Sequence, residues 1–140
     1  IILDHYREKH HAGLREPFGA EVHHVNPSCG DEVTLRVSLD GNSIADVSYE
    51  GEGCSISQAS LSVMVDLCAG KTVDEAMELF RDFHELMESR GAGLQDEAKE
   101  EKLEDAVVFQ GVSKYPMRIK CALLGWEGMR DSVAKALAAK

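Results

Sequence analysis

A change of hydrophobic period near residue 54 constrains the fold more than any other feature of this chain. Before it, residues 32–39 (EVTLRVSL) alternate apolar and polar side chains, which is the pattern of a strand with one buried face. After it, apolar residues recur at helical spacing through most of the remaining sequence. Strands followed by helices predict an α+β fold, with the helices packed on one face of a small sheet.

The sheet is predicted to have three antiparallel strands. The extended stretches are residues 20–25, 32–39 and 43–51. Asp40-Gly41-Asn42 separates the second stretch from the third and is typical of a tight hairpin turn. The strands therefore form a meander with one covered face.

Four helical segments are predicted after the sheet. The first carries an apolar stripe from Ile56 to Leu67, and the second opens on residues 72–75 (TVDE), which match a capping box. A short helix is expected within residues 103–116, and a final helix over about 117–138. The inward side of that last helix is expected to comprise Ile119, Leu123, Trp126, Met129, Val133 and Leu137.

One polar segment interrupts the helical part. Residues 89–105 are acidic, contain two glycines, and are predicted to be a mobile loop or insertion. The acidic run at 96–105 is interpreted as a solvated face. A length of 140 residues then makes residues 1–140 a single domain with one core.

The charge balance excludes some classes of function. A formal net charge of −10 argues against an intrinsic binder of nucleic acid or of anionic membranes, and favours basic surfaces as partners. The sequence has no apolar run long enough to span a membrane and no signal-peptide pattern at its start, so a cytoplasmic location is expected. Reduced thiols are accordingly favoured over disulfides for its four cysteines.

Two of the cysteines are placed to bind a metal. Cys29 and Asp31 are two residues apart in an extended segment, so their side chains can converge on one ion while Gly30 lets the chain bend. Cys54 ends the third strand and begins a helix, and the positive end of the helix dipole favours the thiolate form.

The other two cysteines differ from each other. Cys68 is 14 helical residues beyond Cys54, about 20 Å away, and is interpreted as a buried structural residue. Cys121 begins the last helix, off its main apolar stripe, where the neighbouring Arg118 and Lys120 would stabilise a thiolate.

Two glycines share a helix face with Cys121. Gly125 and Gly128 indicate either the close approach of another chain or a kink, and the sequence leaves both open.

Three thiolates and a carboxylate match the tetrahedral set that zinc takes. The sequence has no C-x-x-C pair, so it is not a zinc finger or ribbon, and spacing alone leaves a shared metal site undecided.

Several stretches together resemble a known family. NPSCGDEVTL, YEGEGCSISQAS, GVSKYPMRIKCALLGW and the opening ILDHYREKHHAG are similar, in order, to the SufU branch of the IscU/NifU N-terminal family of iron–sulfur cluster assembly proteins. The IscU branch has a histidine before its last cysteine, whereas this chain has Lys120. With the extra segment at 89–105, this departure favours SufU, and an IscU/SufE-like fold is expected.

The resemblance implies a zinc site and a reaction. Zinc would be held by Cys29, Asp31, Cys54 and Cys121, and Cys29 would accept persulfide sulfur from a SufS-type cysteine desulfurase, whose histidine replaces Cys29 on the metal. By the same resemblance Arg118 would lie near the site, holding charge or docking the partner, and a downstream SUF scaffold complex would receive the sulfur.

Two alternatives remain. The same ligands would suit a scaffold that assembles and transfers an iron–sulfur cluster, since thiolates are the usual cluster ligands. A purely structural zinc domain is the weaker alternative, because closed sites are usually all Cys or Cys/His.

The histidines have simpler interpretations. His5, His10 and His11 are interpreted as surface residues, and His23 and His24 point to opposite faces of a strand and so cannot clamp one ion together.

Overall fold

The sheet in the computed structural model is a three-stranded antiparallel meander. The structure describes residues 13–14, 18–26, 30–94 and 96–138. Its strands are β1 (Ala20–Asn26), β2 (Asp31–Asp40) and β3 (Ser43–Glu52), in the spatial order β1-β2-β3. The predicted strands and their antiparallel pairing are confirmed, with ends that differ by at most one residue.

The alternation in β2 decides which face of the sheet is covered. Val33, Leu35 and Val37 are buried against the helices, whereas the polar residues between them are only half-buried. The turn after β2 is tight, with Gly41 at a φ of +62°, a backbone conformation that favours glycine. One covered face is therefore confirmed.

Helix α1 spans Ser55–Cys68. It is buried almost all round, including Gln58 and the hydroxyl residues Ser57, Ser60 and Ser62, so the single apolar stripe predicted from sequence was too narrow. Ser60 Oγ donates a 2.6 Å hydrogen bond to the carbonyl of Ala122, which lets a polar residue lie between two packed helices.

Helix α2 (Val73–Glu88) begins with the predicted capping box. The Thr72 hydroxyl accepts from the Glu75 backbone N–H at 3.1 Å, and the Glu75 carboxylate accepts from the Thr72 N–H at 3.2 Å. Phe83 on its inner side stacks on Trp126 with ring centroids 4.5 Å apart. The capping box is therefore confirmed.

The segment predicted as a loop contains a helix. Helix α3 (Glu97–Leu103) begins at Asp96, whose carboxylate accepts from the Ala98 N–H at 2.9 Å, and a 3₁₀ helix (Glu104–Lys114) follows it. Leu103 is fully buried at the end of α3. The prediction was wrong here because one buried leucine and one capping aspartate fix a segment whose composition is otherwise that of a loop.

Helix α4 (Pro116–Ala138) is the longest element and packs on the sheet and on α1. A Cβ on Gly125 would lie 2.6 Å from Leu61 Cδ1, and one on Gly128 would lie 2.5 Å from Leu35 Cδ1. The two glycines therefore allow α1 and β2 of the same chain to pack closely against α4. The sequence had predicted either the approach of another chain or a kink. Leu137, expected inward, is 40% exposed because the end of α4 extends past the core.

Among the residues that the structure describes, no helix is both long enough and apolar enough to cross a membrane.

Candidate metal centre

The sheet and two helix beginnings bring three of the predicted ligands together. Asp31 opens β2, Cys54 precedes the first turn of α1, and Cys121 lies near the start of α4. One carboxylate oxygen and the two sulfur atoms all lie within 4.8 Å of one another. The fourth predicted ligand, Cys29, lies outside the described residues.

Asp31 is held in place by the backbone of its neighbour. Its side chain is fully buried, its Oδ1 accepts from the Cys54 N–H at 2.9 Å, and its Oδ2 lies 4.0 Å from Cys54 Sγ. Gly53 makes this approach possible, because a Cβ at that position would overlap Asp31 Oδ1 and lie 2.8 Å from Ser57 Oγ. The backbone around Cys54 therefore orients the Asp31 carboxylate.

Cys54 occupies the N-cap position of α1. Its side chain makes no capping hydrogen bond, and its extended backbone allows the Gln58 N–H to donate to its carbonyl at 3.2 Å. The first turn of α1 has no acidic residue of its own, but the Asp31 carboxylate lies at the same positive end of the helix, bound to the Cys54 N–H. The Cys54 sulfur therefore lies beside both the start of α1 and the Asp31 carboxylate.

Cys121 is more deeply buried than its place off the apolar stripe predicted. Its side chain is fully buried, and its Sγ lies 3.7 Å from the Met117 carbonyl one turn earlier. The Asn26 amide nitrogen lies 3.9 Å from the same sulfur. The Cys121 sulfur is therefore enclosed by α4 on one side and by the end of β1 on the other.

The donor set fits a zinc ion better than it fits calcium or magnesium. Zinc binds thiolate sulfur at about 2.3 Å and carboxylate oxygen at about 2.1 Å, so ligand atoms spaced as these are can share one ion. Calcium and magnesium select oxygen ligands, of which this cluster offers one carboxylate.

A cation lies beside the cluster. Arg118 is exposed and lines a surface depression of about 330 Å³ together with Cys54 and Ile56. Arg118 and Cys54 therefore line one depression, and the role of Arg118 stays a prediction.

The remaining cysteine among the described residues lies apart. Cys68 ends α1 inside the core and is fully buried. Burial raises the pKa of its thiol to about 12, so it remains protonated. The prediction that Cys68 is a buried structural residue is confirmed.

The histidines of the described strands bind carboxylates on separate faces. His23 Nε2 lies 3.3 Å from Glu32, whereas His24 Nε2 lies 3.1 Å from Asp131 on α4. Their predicted divergence is confirmed. His5, His10 and His11 lie outside the described residues.

Sequence reasoning missed two contributors to the centre, Asn26 and Gly53. Asn26 stands directly opposite Asp31 in the β1–β2 register. A signal for it was present, because the stretch NPSCGD fits a short connection whose two ends would face each other. Gly53 could be recognised only from the overlap that a Cβ would cause with Asp31.

The NifU-like N-terminal domain family matches residues 1–122 of the chain. Over 136 residues, covering 96% of this chain and 88% of the relative, the chain is 38% identical to the zinc-dependent sulfurtransferase SufU of Bacillus subtilis (strain 168). It is 35% identical, over 97% of this chain and 82% of the relative, to the iron–sulfur cluster assembly scaffold protein IscU of Streptococcus pyogenes serotype M1.

The fold has a close counterpart among crystal structures. A proposed iron–sulfur cluster assembly scaffold protein for the SUF system, from Fervidobacterium islandicum AW-1, superposes with a TM-score of 0.85 at 39% identity, over 94% of this chain and 93% of the other. The chain belongs to the NifU-like N-terminal domain family, whose SufU and IscU branches take part in iron–sulfur cluster assembly. The predicted family and the predicted α+β fold are confirmed.

Proposed function

We propose that this protein is a zinc-dependent sulfurtransferase of iron–sulfur cluster assembly, which accepts persulfide sulfur on Cys29 from a SufS-type cysteine desulfurase and stimulates its turnover. The observation that carries the proposal is the convergence of Asp31, Cys54 and Cys121 within 4.8 Å. The similarity to a relative named a zinc-dependent sulfurtransferase adds support.

The proposed metal ligands are Cys29, Asp31, Cys54 and Cys121. Bound zinc supplies a redox-inert positive charge that keeps cysteine ligands deprotonated without fixing a rigid geometry. Asp31 and Cys121 are fully buried, and Asp31 is also tied to the Cys54 N–H. Their departure would disturb the core, so ligand exchange with the desulfurase falls to Cys29, next to the exposed Gly30.

Sulfur transfer by Cys29 is a displacement at sulfur. The Cys29 thiolate attacks the terminal sulfur of the persulfide on the desulfurase cysteine, so a sulfur–sulfur bond forms on Cys29 as the bond in the donor persulfide breaks. The desulfurase cysteine leaves as a thiolate, and the transfer needs no external oxidant or reductant. The persulfide then passes to a downstream SUF scaffold complex in the cytoplasm, where thiols are kept reduced.

The surface beside Cys54 is proposed to receive the desulfurase. Tyr115 and Met117 are 62% and 67% exposed and flank Arg118 along the start of α4. Exposed aromatic, Met and Arg side chains are enriched at protein interfaces. Arg118 would hold the negative charge of the thiolate ligands while the partner binds.

The test is a single-turnover and steady-state measurement under anaerobic conditions. Zinc-loaded protein is mixed with the desulfurase and cysteine, alanine release is followed, and the intact mass of the chain is recorded. We expect alanine release to rise on addition of the protein, with added sulfur on the wild type and none on Cys29→Ser. Cys68→Ala, which changes a buried cysteine outside the cluster, should behave like the wild type.

A scaffold is the second candidate, and the similarity to the Streptococcus relative favours it. In that case desulfurase turnover would be unchanged. Zinc-free protein would instead take up iron and sulfide and pass a cluster to an apo-acceptor, and Asp31 would be a labile cluster ligand. This outcome would contradict the sulfurtransferase proposal.

A further inference from the structure

Asn26 is a buried amide at the metal centre that is not among the proposed ligands. It is the last residue of β1, is 8% exposed, and pairs with Asp31 across the β1–β2 register. Side chains directly opposite each other in a sheet project to the same face. Asn26 and Asp31 therefore lie side by side, at the point where the chain leaves β1 and returns in β2.

These paired residues contact different cysteines. Asp31 accepts from the Cys54 N–H, whereas Asn26 Nδ2 lies 3.9 Å from Cys121 Sγ. Asp31 is thus directed to α1 and Asn26 to α4. The two ends of the connection at residues 27–30 are each tied to one cysteine-bearing helix.

The Asn26 contact has the direction that a metal-bound cysteine needs. The Cys121 Sγ lies 3.7 Å from the Met117 carbonyl and 3.9 Å from Asn26 Nδ2. A thiolate bound to a metal has no hydrogen to donate to that carbonyl, but its sulfur can accept one from the Asn26 amide N–H. A hydrogen bond to an ionised acceptor is also stronger than one between neutral groups. The contact is therefore placed to hold the Cys121 sulfur of a metal-bound cysteine.

We propose that Asn26 is a positioning residue of the metal centre, whose side-chain amide donates an N–H···S hydrogen bond to the Cys121 thiolate and holds that sulfur in place for the ion. The inference rests on the proposed function, because it needs Cys121 as a ligand. Hydrogen bonds to metal ligands orient them and tune their electron donation, and their loss typically costs about 10–100-fold in affinity.

The test begins with Asn26→Leu, which keeps a similar volume but has no N–H. Zinc affinity is measured by competition with a chromophoric chelator, and we expect a loss of at least about tenfold. The matched control is Asn42→Leu in the β2–β3 turn, where Asn42 is exposed and outside the cluster. The control should keep its affinity within about twofold of the wild type, because no ligand contact changes.

Cobalt substitution separates this role from a purely structural one. The sulfur-to-cobalt charge-transfer bands depend on the electron density on the ligand sulfur. Without the N–H donor, Cys121 donates more strongly, so the bands of Asn26→Leu should move to longer wavelength. A merely loosened fold would broaden or weaken the bands without this shift.

A double-mutant cycle locates the effect on Cys121. In a Cys121→Ala background, Asn26→Leu should leave the already weakened zinc affinity unchanged within about twofold. Equal losses in both backgrounds, or no loss in the wild-type background, would overturn the inference while leaving the zinc proposal intact. A wild type that binds no zinc would overturn both. If Asn26→Leu does not fold, the smaller Asn26→Ala, which also lacks the side-chain N–H and adds no ligand or charge, takes its place.

Discussion

Two aspartates are buried among the residues that the structure describes, and their surroundings differ. Asp31, at the metal centre, is fully buried and accepts a 2.9 Å hydrogen bond from the Cys54 N–H. Asp82, on the inner side of α2, is 4% exposed, has no hydrogen-bond partner for Oδ2, and has Lys99 Nζ 4.0 Å from Oδ1. A backbone donor fixes the first carboxylate, whereas a flexible lysine approaches the second.

The elements around the two carboxylates differ in the same way. At the metal centre, Gly53 approaches Asp31 so closely that a Cβ would overlap its carboxylate, and Asn26 faces Asp31 across the ends of β1 and β2. Between α2 and α3, Lys99 and Lys102 reach Glu85 and Glu78 across the surface, at 3.2 and 2.9 Å. Such exposed pairs tolerate movement. The residues around the predicted ligands are therefore held rigidly. The contact between α2 and α3, in contrast, can adapt.

Gly53→Ala should have the largest effect, because it disturbs the rigid region directly. A Cβ would overlap Asp31 Oδ1, and the φ of +151° is rarely adopted by other residues. We expect a loss of about 2–3 kcal/mol in the free energy of unfolding of the zinc-free protein. Zinc affinity should also fall, by more than about tenfold. Urea unfolding and chelator competition measure the two effects.

Gly111→Ala is the matched control for that substitution. A Cβ on Gly111 would meet no atom within 4 Å, and its φ is not in the left-handed region. Its stability and zinc affinity should stay close to those of the wild type. If Gly53→Ala behaved the same way, Asp31 would not be held by close packing, and the contrast with Asp82 would be lost.

Asp82→Asn tests the other aspartate and should stabilise the protein at neutral pH. Burial raises the pKa of Asp82, with Lys99 opposing the change, so the folded state keeps the proton to higher pH than the unfolded chain does. The free energy of unfolding therefore falls as pH rises from the ordinary aspartate range through the raised pKa. Removing this charge should recover about 1 kcal/mol at neutral pH.

The pH dependence distinguishes this explanation from a general effect of the substitution. Urea unfolding between about pH 4 and pH 7 should show a decline in the wild type that is absent from Asp82→Asn. Asp40→Asn, exposed in the β2–β3 turn, is the control and should keep the wild-type decline. An Asp82→Asn variant that is less stable than the wild type at neutral pH would mean that the pair with Lys99 outweighs burial.

Sequence predicted the sheet and the larger helices because their signals are local. The alternation in β2 and the capping box at Thr72 each lie within a few residues, and both were confirmed. Helix α3 was missed because its anchor, Leu103, is a single apolar residue in an acidic run. The role of Gly125 and Gly128 was also missed, since their neighbours Leu61 and Leu35 are distant in sequence.

The candidate site, too, was predictable from sequence only where its signals are local. The ligand types were readable from motifs, and the structure brings Asp31, Cys54 and Cys121 together. Cys29 stays a prediction, because it lies outside the described residues. Contacts between distant residues, such as Asn26 with Cys121, depend on strand register and on how α4 packs, and no local pattern in the sequence records them.

Thr72→Ala should have a smaller effect on the adaptable region. It removes the hydroxyl that accepts from the Glu75 N–H at 3.1 Å, so the first turn of α2 loses its cap. The expected cost is about 1 kcal/mol in the free energy of unfolding, with zinc affinity unchanged. Thr72→Ser keeps the hydroxyl and should restore most of the loss. If serine were no better than alanine, packing by the Thr72 methyl rather than capping would explain the cost.

Lys102→Gln should have the smallest effect. Its ammonium lies 2.9 Å from Glu78, but the two side chains are 54% and 47% exposed, so water and salt screen their attraction. The small loss of stability should disappear at high salt, and Glu78→Gln should show the same loss without adding to it. A large loss that persists in salt would mean that the ion pair, rather than the buried Leu103, holds α3 on α2. The contact between α2 and α3 would then depend on the Lys102–Glu78 pair, just as the arrangement of the metal centre depends on the hydrogen bond of Asp31 with the Cys54 N–H.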